Sequence, residues 1–171
     1  HEAIPGHQLQ VALNLENENL SLYRRFGYGT SAFSEGWALY SEILALEAGL
    51  AEDPYDELGV LQSELFRAVR LVVDTGMHYK RWTREEAMAY MKDITGMSDT
   101  EVRVEIERYI VWPGQACSYK VGMLKILELR EKAKKKLGED FNIKDFHSVV
   151  LEQGQPPLFI VEDLVNLMLD N

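Results

Sequence analysis

Helix boundaries are marked clearly along this chain, and they leave little room for strands. Thr83 is followed three residues later by Glu86, and Ser98 by Glu101, which is the capping-box pattern of a helix N-terminus. Gly96 ends the first of these two segments. Apolar residues recur at helical spacing nearly throughout, and no useful alternating pattern occurs. We therefore predict an all-α domain of seven or eight helices.

Single residues predict several further boundaries. Ser34 is a possible N-cap, and Pro54 suits the first turn of a long apolar-striped helix. The segment around Gly27 and Gly29 interrupts the periodicity and is predicted to be a loop. The helix that carries the basic run is predicted to end at Gly138.

Composition narrows the function classes. The chain has 171 residues, 46% hydrophobic and 27% charged, as expected for a single globular domain over residues 1–171. Its net charge of −10 argues against nucleic acid as a partner, because a phosphate-binding surface needs a basic footprint. The basic run from Arg130 to Lys136 is interpreted as the solvated end of a helix. No apolar run reaches the roughly 20 residues of a membrane span.

The first residues belong to what looks like a motif, and this predicts a longer protein. We expect residues 1–171 to be the C-terminal part of a larger catalytic domain, with the upstream part packing against the first helix. Any targeting segment would lie upstream, so secreted, periplasmic, lipoprotein and cytoplasmic locations stay open.

The opening segment "HEAIPGH" places His1, Glu2 and His7 close together. Zinc peptidases carry a similar HExxH phrase, in which two histidines four residues apart share one helix face and the glutamate lies beside the metal-bound water. Here the histidines are six residues apart. On a regular helix that spacing rotates the two side chains by about 240°, so they would not converge. Two unrelated histidines are the simpler alternative.

Pro5 offers a way for the histidines to converge. It has no N–H to give to the carbonyl of His1, and its ring clashes with that turn of a helix. We predict a helix interrupted at Ile4–Gly6, with a π-type widening that returns His7 to the face of His1.

A third ligand is available in "SEGWALYSE". A catalytic zinc takes three ligands from His, Asp or Glu and keeps one position for water. Glu35 lies 28 residues after His7, near the start of a predicted helix. An acid favoured there by the helix dipole is the alternative reading. Glu42, seven residues further on, lies on the same helix face as Glu35. It is a candidate to support a metal ligand without binding the metal itself. An exposed helix acid is the alternative.

Four segments together carry a family resemblance: "HEAIPGH", "EGWALYSE", "RLVVDTGMHY" and "WPGQACSYKVG". They resemble the family called domain of unknown function 885, which is thought to belong with the gluzincin metallopeptidases. The resemblance implies a larger helical gluzincin-like fold and one zinc ion. It implies His1, His7 and Glu35 as the zinc ligands and Glu2 as the general base.

A metallopeptidase also needs a donor for the oxyanion that forms on the attacked carbonyl. Arg70, Asp74 and His78 fall at successive helical turns, and Asp74 is positioned to orient His78. An ordinary surface stripe is the alternative. Tyr119 follows a Pro-Gly turn, where a helix start presents side chains, although a core tyrosine would look the same.

We rank Tyr119 and His78 first for this role. Arg108 and Gln115 come next, as candidates to contact the substrate or to support the site. Arg70, Asp74 and Glu42 complete the set.

The sequence therefore predicts a zinc-dependent metallopeptidase acting on a peptide or a small molecule. Two rivals stay open: a catalytically inactive helical scaffold or binding domain, and a metal hydrolase of a non-peptide amide or ester.

Overall fold

Residues 1–27 and 29–170 are described by the computed structural model, and the regular secondary structure of this part of the chain consists of helices alone. The all-α prediction is confirmed. The predicted number of helices was too low, because the described residues form nine α-helices and a short 3-10 helix at Gly138–Asp140. The α-helices are α1 (His7–Glu16), α2 (Leu22–Phe26), α3 (Ser31–Glu47), α4 (Pro54–His78), α5 (Arg84–Thr95), α6 (Asp99–Val111), α7 (Gln115–Leu137), α8 (Ile143–Leu151) and α9 (Leu158–Asp170).

The additional helix is α2, which lies in the segment predicted to be a loop. Ser21 caps it by accepting a hydrogen bond from the Arg24 N–H. The buried side chain of Asn14 donates to the carbonyls of Arg24 and Arg25, which satisfies the end of this short helix from outside it. The loop prediction also covers position 28, which lies outside the described residues.

The start of α3 differs from the prediction as well. The helix begins at Ser31, so Ser34 is inside it and is not its N-cap. Thr30 occupies the cap position but makes no capping hydrogen bond; its side chain is turned toward Pro156, and its hydroxyl donates to the carbonyl of that residue at 2.9 Å. A contact far along the chain has replaced the local cap.

The other predicted boundaries are confirmed. Pro54 is the first residue of α4, and the capping boxes at Thr83 and Ser98 are both formed. Gly96 ends α5 in the left-handed conformation, with φ of 69°, and Gly138 ends α7. These signals act within one turn of helix, which is why the sequence displays them.

The basic run at the end of α7 is only partly solvated. Lys134, Lys135 and Lys136 are in the last turn, as predicted. Arg130, however, is 7% exposed, and its guanidinium makes two hydrogen bonds to the carboxylate of Glu47.

Helices α3 and α7 cross at two glycines. A Cβ added to Gly36 would lie 2.4 Å from the Cα of Gly122, and one added to Gly122 would lie 1.9 Å from the carbonyl oxygen of Ala32. Neither glycine leaves room for a side chain, so the two backbones are in contact. Because Glu35 precedes Gly36 and Tyr119 lies one turn before Gly122, this crossing fixes how far apart those two side chains are.

Two hydrophobic clusters hold the helices together, and α7 contributes to both. The first cluster joins α3, α7, α8 and α9, and includes Phe33, Trp37, Tyr40, Met123, Ile126, Phe146, Val161 and Val165. The second joins α4, α5, α6 and the start of α7, and consists of Val69, Val73, Ala87, Met91, Val102, Ile106, Tyr109 and Ala116. None of the described helices combines the length and the apolar character needed to cross a membrane.

Candidate metal centre

Three side chains from the first and third helical segments meet at one point. The ligand atoms of His1, His7 and Glu35 all lie within 4.8 Å of one another. The carboxylate oxygen Oε2 of Glu35 is 3.6 Å from His1 Nε2 and 3.3 Å from His7 Nε2. The imidazole rings are perpendicular, with centroids 5.0 Å apart. The predicted convergence of the two histidines is therefore confirmed.

A wide turn brings the two histidines together, in place of the predicted interrupted helix. Helix α1 begins only at His7. The turn before it is closed by the His7 N–H donating to the His1 carbonyl at 2.9 Å and by the Gln8 N–H donating to the Glu2 carbonyl at 3.0 Å. Each of these bonds spans six residues, against four in an α-helix. The turn is thus wider than a π-helical turn, and the six-residue spacing of the histidines matches it.

Gly6 is required by this turn. A Cβ at Gly6 would lie 1.7 Å from the carbonyl oxygen of His1, so no other residue fits without opening the turn. Pro5 fixes the turn to α3, since its carbonyl accepts hydrogen bonds from the Trp37 indole N–H at 2.9 Å and from the Ser41 hydroxyl at 3.2 Å. Trp37 and Ser41 lie on the helix that carries Glu35, so the two parts of the cluster are held in register.

The three donors suit a zinc ion in type and in spacing. Two imidazole nitrogens and one carboxylate oxygen are a common ligand set for catalytic zinc. Ligands at about 2.0–2.1 Å in tetrahedral arrangement are about 3.4 Å apart. The measured separations of 3.3 and 3.6 Å from Glu35 to the two histidines agree with that value. The side chains are 14–24% exposed, so the cluster is sheltered and still reaches solvent.

Neighbouring charges in the cluster shift the pKa values of His1 and Glu35 in the direction opposite to the effect of burial. Burial alone would lower the pKa of His1, but its contacts with Glu35 and Glu42 raise that pKa to about 9. Burial alone would raise the pKa of Glu35, but the neighbouring His1 and His7 lower it to about 2. The protein groups by themselves therefore favour a proton on His1, and a bound cation would replace that proton.

Glu42 lies behind His1. The His1 Nδ1–H donates to Glu42 Oε1 at 2.7 Å, which leaves Nε2 pointing at Glu35. Glu42 also accepts from the Ser63 hydroxyl at 2.8 Å, and Arg67 Nη2 is 3.9 Å from its Oε1. A carboxylate in this position fixes the tautomer and the orientation of a metal-binding histidine.

Sequence reasoning missed Ser63 and Arg67. They are one turn apart on α4, and the Arg67 guanidinium donates to the Ser63 hydroxyl. The only signal in the sequence was that shared helix face, which is common on any helix.

An open cleft of about 690 Å³ borders the cluster. Its walls include His1, Glu2, Glu42 and Arg67, together with the first turns of α4. Glu2 is exposed and lines this cleft together with His1.

Tyr119 lies against the cluster. Its ring stacks on that of His1, with centroids 6.1 Å apart and an angle of 22° between the planes. The guanidinium of Arg70 is 4.2 Å from the Tyr119 ring centroid. Gln115 connects the two residues: Arg70 Nη2 donates to Gln115 Oε1 at 3.1 Å, and Gln115 Nε2 donates to the Tyr119 oxygen at 3.2 Å.

His78 and Asp74 lie further along α4 and are not brought to the cluster. His78 is eleven residues past Arg67, about 16 Å along the helix axis. Its Nδ1–H donates to the main-chain carbonyl of Asp74 at 3.0 Å, while the Asp74 carboxylate is 3.7 Å away. That carboxylate instead accepts from the Gly114 N–H at the start of α7. The Asp74 carboxylate thus holds the start of α7 in place. The sequence predicted only its pairing with His78 and not this contact.

Arg108 is also away from the cluster. It is exposed on α6, close to Glu105 and to the ring of Trp112. Among the described residues, no hydrogen bond, ion pair or ring contact links it or His78 to the three ligand candidates.

The fold and the cluster define an all-α domain in which two histidines and one glutamate lie close enough together to hold a metal ion. The chain belongs to the family described as "Bacterial protein of unknown function (DUF885)", whose model matches residues 1–165. None of the curated sequences compared with the chain matches it.

Two solved structures are similar over almost the whole chain. One is described as "the putative lipoprotein from Colwellia psychrerythraea", with 56% identity, a TM-score of 0.94 and 99% of this chain covered. The other is "a putative lipoprotein of unknown function from Shewanella oneidensis", with 33% identity, a TM-score of 0.87 and 98% covered. The chain spans only 29% and 30% of the length of these structures.

Proposed function

We propose that this domain carries the active site of a zinc-dependent, gluzincin-like metallopeptidase. The observation that supports the proposal most strongly is the convergence of His1, His7 and Glu35 at separations that suit zinc. Their position beside a cleft edged by Glu2 is the second support. His1 and His7 would bind the ion through Nε2, and Glu35 through its carboxylate.

A zinc ion bound there would supply a water of lowered pKa and a Lewis acid for the substrate carbonyl. Glu2 accepts the proton of the attacking water and delivers it to the leaving amine. Glu42 keeps the Nδ1–H of His1 in place, so that Nε2 stays available as a ligand. Tyr119, beside His1, is the candidate donor to the oxyanion. His78, the other candidate donor that the sequence offers, has no contact with the cluster.

The larger architecture is part of the proposal. In the two related structures the matching region is less than a third of the chain. We propose that the remainder of such chains adds walls to the open cleft, as expected for the C-terminal part of a gluzincin-like catalytic domain. Peptidase activity is then a property of the longer protein.

Metal content tests the proposal first. Purified protein is loaded with zinc, dialysed and measured by elemental analysis, with about one zinc per chain expected. H7A and E35A should lose the zinc, whereas E2Q should keep it. Two matched controls, H78A and the exposed-acid variant E18Q, should bind like the parent protein. Stoichiometric zinc in both H7A and E35A would refute the proposed site.

Activity is tested on a panel of peptides, amides and esters with the longest form of the protein that can be expressed. Cleavage of peptides that is lost in E2Q, with zinc retained, supports the metallopeptidase. Cleavage of only esters or non-peptide amides would assign a different hydrolase. Zinc binding without turnover of any substrate would favour a scaffold or binding domain.

A further inference from the structure

Arg70 is a buried cation that has no acidic partner in the described part of the chain. It is 3% exposed, and no Asp or Glu oxygen of the described residues lies within ion-pair distance of it. Asp74 lies one turn away on the same helix, and its carboxylate accepts the hydrogen bond of the Gly114 N–H. The guanidinium instead faces the rings of Tyr119 at 4.2 Å and Tyr109 at 5.2 Å. Burying a charge in this way is costly, so the position calls for a physical explanation.

The Arg70 guanidinium donates a hydrogen bond to the side-chain amide of Gln115. A guanidinium has donors only, so the atom of Gln115 that faces it must be the carbonyl oxygen. Oε1 is at 3.1 Å from Arg70 Nη2, as this requires. The orientation of the Gln115 amide is therefore determined by a neighbour that cannot accept a hydrogen bond.

The orientation of the Gln115 amide in turn determines the hydrogen bonding of the Tyr119 hydroxyl. With Oε1 turned to Arg70, the NH₂ group of Gln115 must face Tyr119, and Nε2 lies 3.2 Å from the Tyr119 oxygen. An NH₂ group only donates, so the Tyr119 oxygen is the acceptor in this contact. No acceptor for the Tyr119 O–H is present among the described residues. Its proton is thus free to be donated to something else.

We infer that Arg70 and Gln115 are positioning residues, which hold the Tyr119 O–H as a free donor for an anionic oxygen bound at the His1–His7–Glu35 cluster. This rests on the proposed function, since the oxyanion of peptide hydrolysis is the ligand concerned. It also selects Tyr119 over His78 and gives the buried Arg70 a role. The chemical class of ligand is an anion that accepts hydrogen bonds, such as a tetrahedral oxyanion, a carboxylate or phosphate.

The variant Q115E tests this with little change in shape. A carboxylate at position 115 accepts from Arg70 as the amide does, so the fold is retained. Its second oxygen accepts the Tyr119 proton, which reverses the hydrogen bond. The probe is inorganic phosphate, and its affinity for the zinc-loaded protein is measured by titration calorimetry. We expect Q115E and Y119F each to weaken phosphate binding by about tenfold, the effect of one hydrogen bond to a charged group.

The new negative charge of Q115E could itself repel phosphate, and the double variant separates the two effects. If the loss acts through the Tyr119 proton, Y119F costs nothing further in the Q115E background. If it acts through charge, the two losses multiply to about a hundredfold, and the inference is refuted. The neutral variant Q115M, which leaves Tyr119 without a fixed partner, should fall between the parent protein and Q115E.

A second measurement does not depend on metal. The Raman doublet of tyrosine differs between a phenol that accepts and one that donates a hydrogen bond, and the Tyr119 signal is obtained by subtracting the Y119F spectrum. In metal-free protein we expect an acceptor signature with Gln115 and a donor signature with Q115E. An unchanged signature would overturn the inference even if the zinc site is real. The expected change would support it even if zinc did not bind and the proposed function failed.

Discussion

The indole N–H of Trp37 donates to the main-chain carbonyl of Pro5 at 2.9 Å, and this contact ties the wide turn to helix α3. We expect W37F to lose about 1–2 kcal/mol in the free energy of unfolding, since it leaves a sheltered carbonyl with the Ser41 hydroxyl alone. Zinc affinity should fall with it. Urea unfolding and a zinc competition titration measure the two effects. W112F, a change at an exposed tryptophan, should leave zinc affinity unchanged.

Gly6 offers a sharper test of the same turn. Because a Cβ there would lie 1.7 Å from the His1 carbonyl oxygen, G6A has to open the turn and move His1 away from His7. We expect zinc affinity to fall at least about tenfold, in line with the loss of a well-placed ligand or its support. The matched control is G59A, because a Cβ at that helical position meets nothing within 4 Å. Equal affinities for the two variants would contradict the described turn.

The glycine contact between α3 and α7 is predicted to matter for stability. A methyl group in G122A would overlap the Ala32 carbonyl and the backbone of Gly36, so the helices must separate. Overpacking of this kind costs about 1–3 kcal/mol. Thermal and urea unfolding of G122A against G59A would show it, and a G122A protein as stable as the parent would mean that the helices do not cross in this way.

Glu42 should act on metal affinity without being a ligand. In E42Q the His1 Nδ1–H loses its charged acceptor, and we expect zinc binding to weaken about ten- to hundredfold. E64Q removes another α4-side carboxylate, one that pairs with Lys120, and should have little effect on zinc. Full zinc affinity in E42Q would show that the His1–Glu42 contact does not orient the ligand.

His147 predicts a pH dependence of stability. Burial lowers its pKa to about 4, with a contribution from the nearby Arg130, against an ordinary value of 6.5. Between these values the unfolded chain binds the extra proton, so the free energy of unfolding falls as the pH drops from about 6.5 to about 4. We expect this histidine to contribute about 1–2 kcal/mol, less than the full shift implies because the ring is only part-buried.

The variant H147Q isolates that contribution. Its amide can still accept from the Tyr40 hydroxyl, which lies 2.9 Å from His147 Nε2, but it does not titrate. The difference in stability between parent and H147Q should therefore shift by about 1–2 kcal/mol between pH 7 and pH 4. A constant difference between parent and H147Q across this range would refute the prediction.

Helix boundaries were predictable wherever the signal was local. The Thr83 and Ser98 capping boxes and the glycine stop at Gly96 act within a few residues, so the sequence alone shows them. Helix α2 was missed because Asn14, on another helix, satisfies its end. The start of α3 was misplaced because Thr30 is drawn to Pro156, across the fold.

The residues of the candidate site also differ in whether the sequence alone predicts them. His1, His7 and Glu35 could be proposed from the sequence because their residue types suit zinc and the family resemblance implies them as ligands, although the spacing of the histidines alone does not predict convergence. Ser63 and Arg67 could not, since their relation to Glu42 depends on how α4 lies against α3, and no short spacing encodes that register.

The division of the hydrophobic interior into two clusters has a consequence for how the site can change. The three ligand candidates and Tyr119 lie on the side of the first cluster, whereas Arg70 lies on α4 between Val69 and Val73 of the second. Binding of the ion and the positioning of the Tyr119 hydroxyl by Arg70 are thus supported by different parts of the interior. Substitutions that loosen the packing around Val73 or Ile106 would change the affinity for an anionic ligand. The affinity for zinc would stay close to that of the parent. The two binding properties can therefore evolve separately.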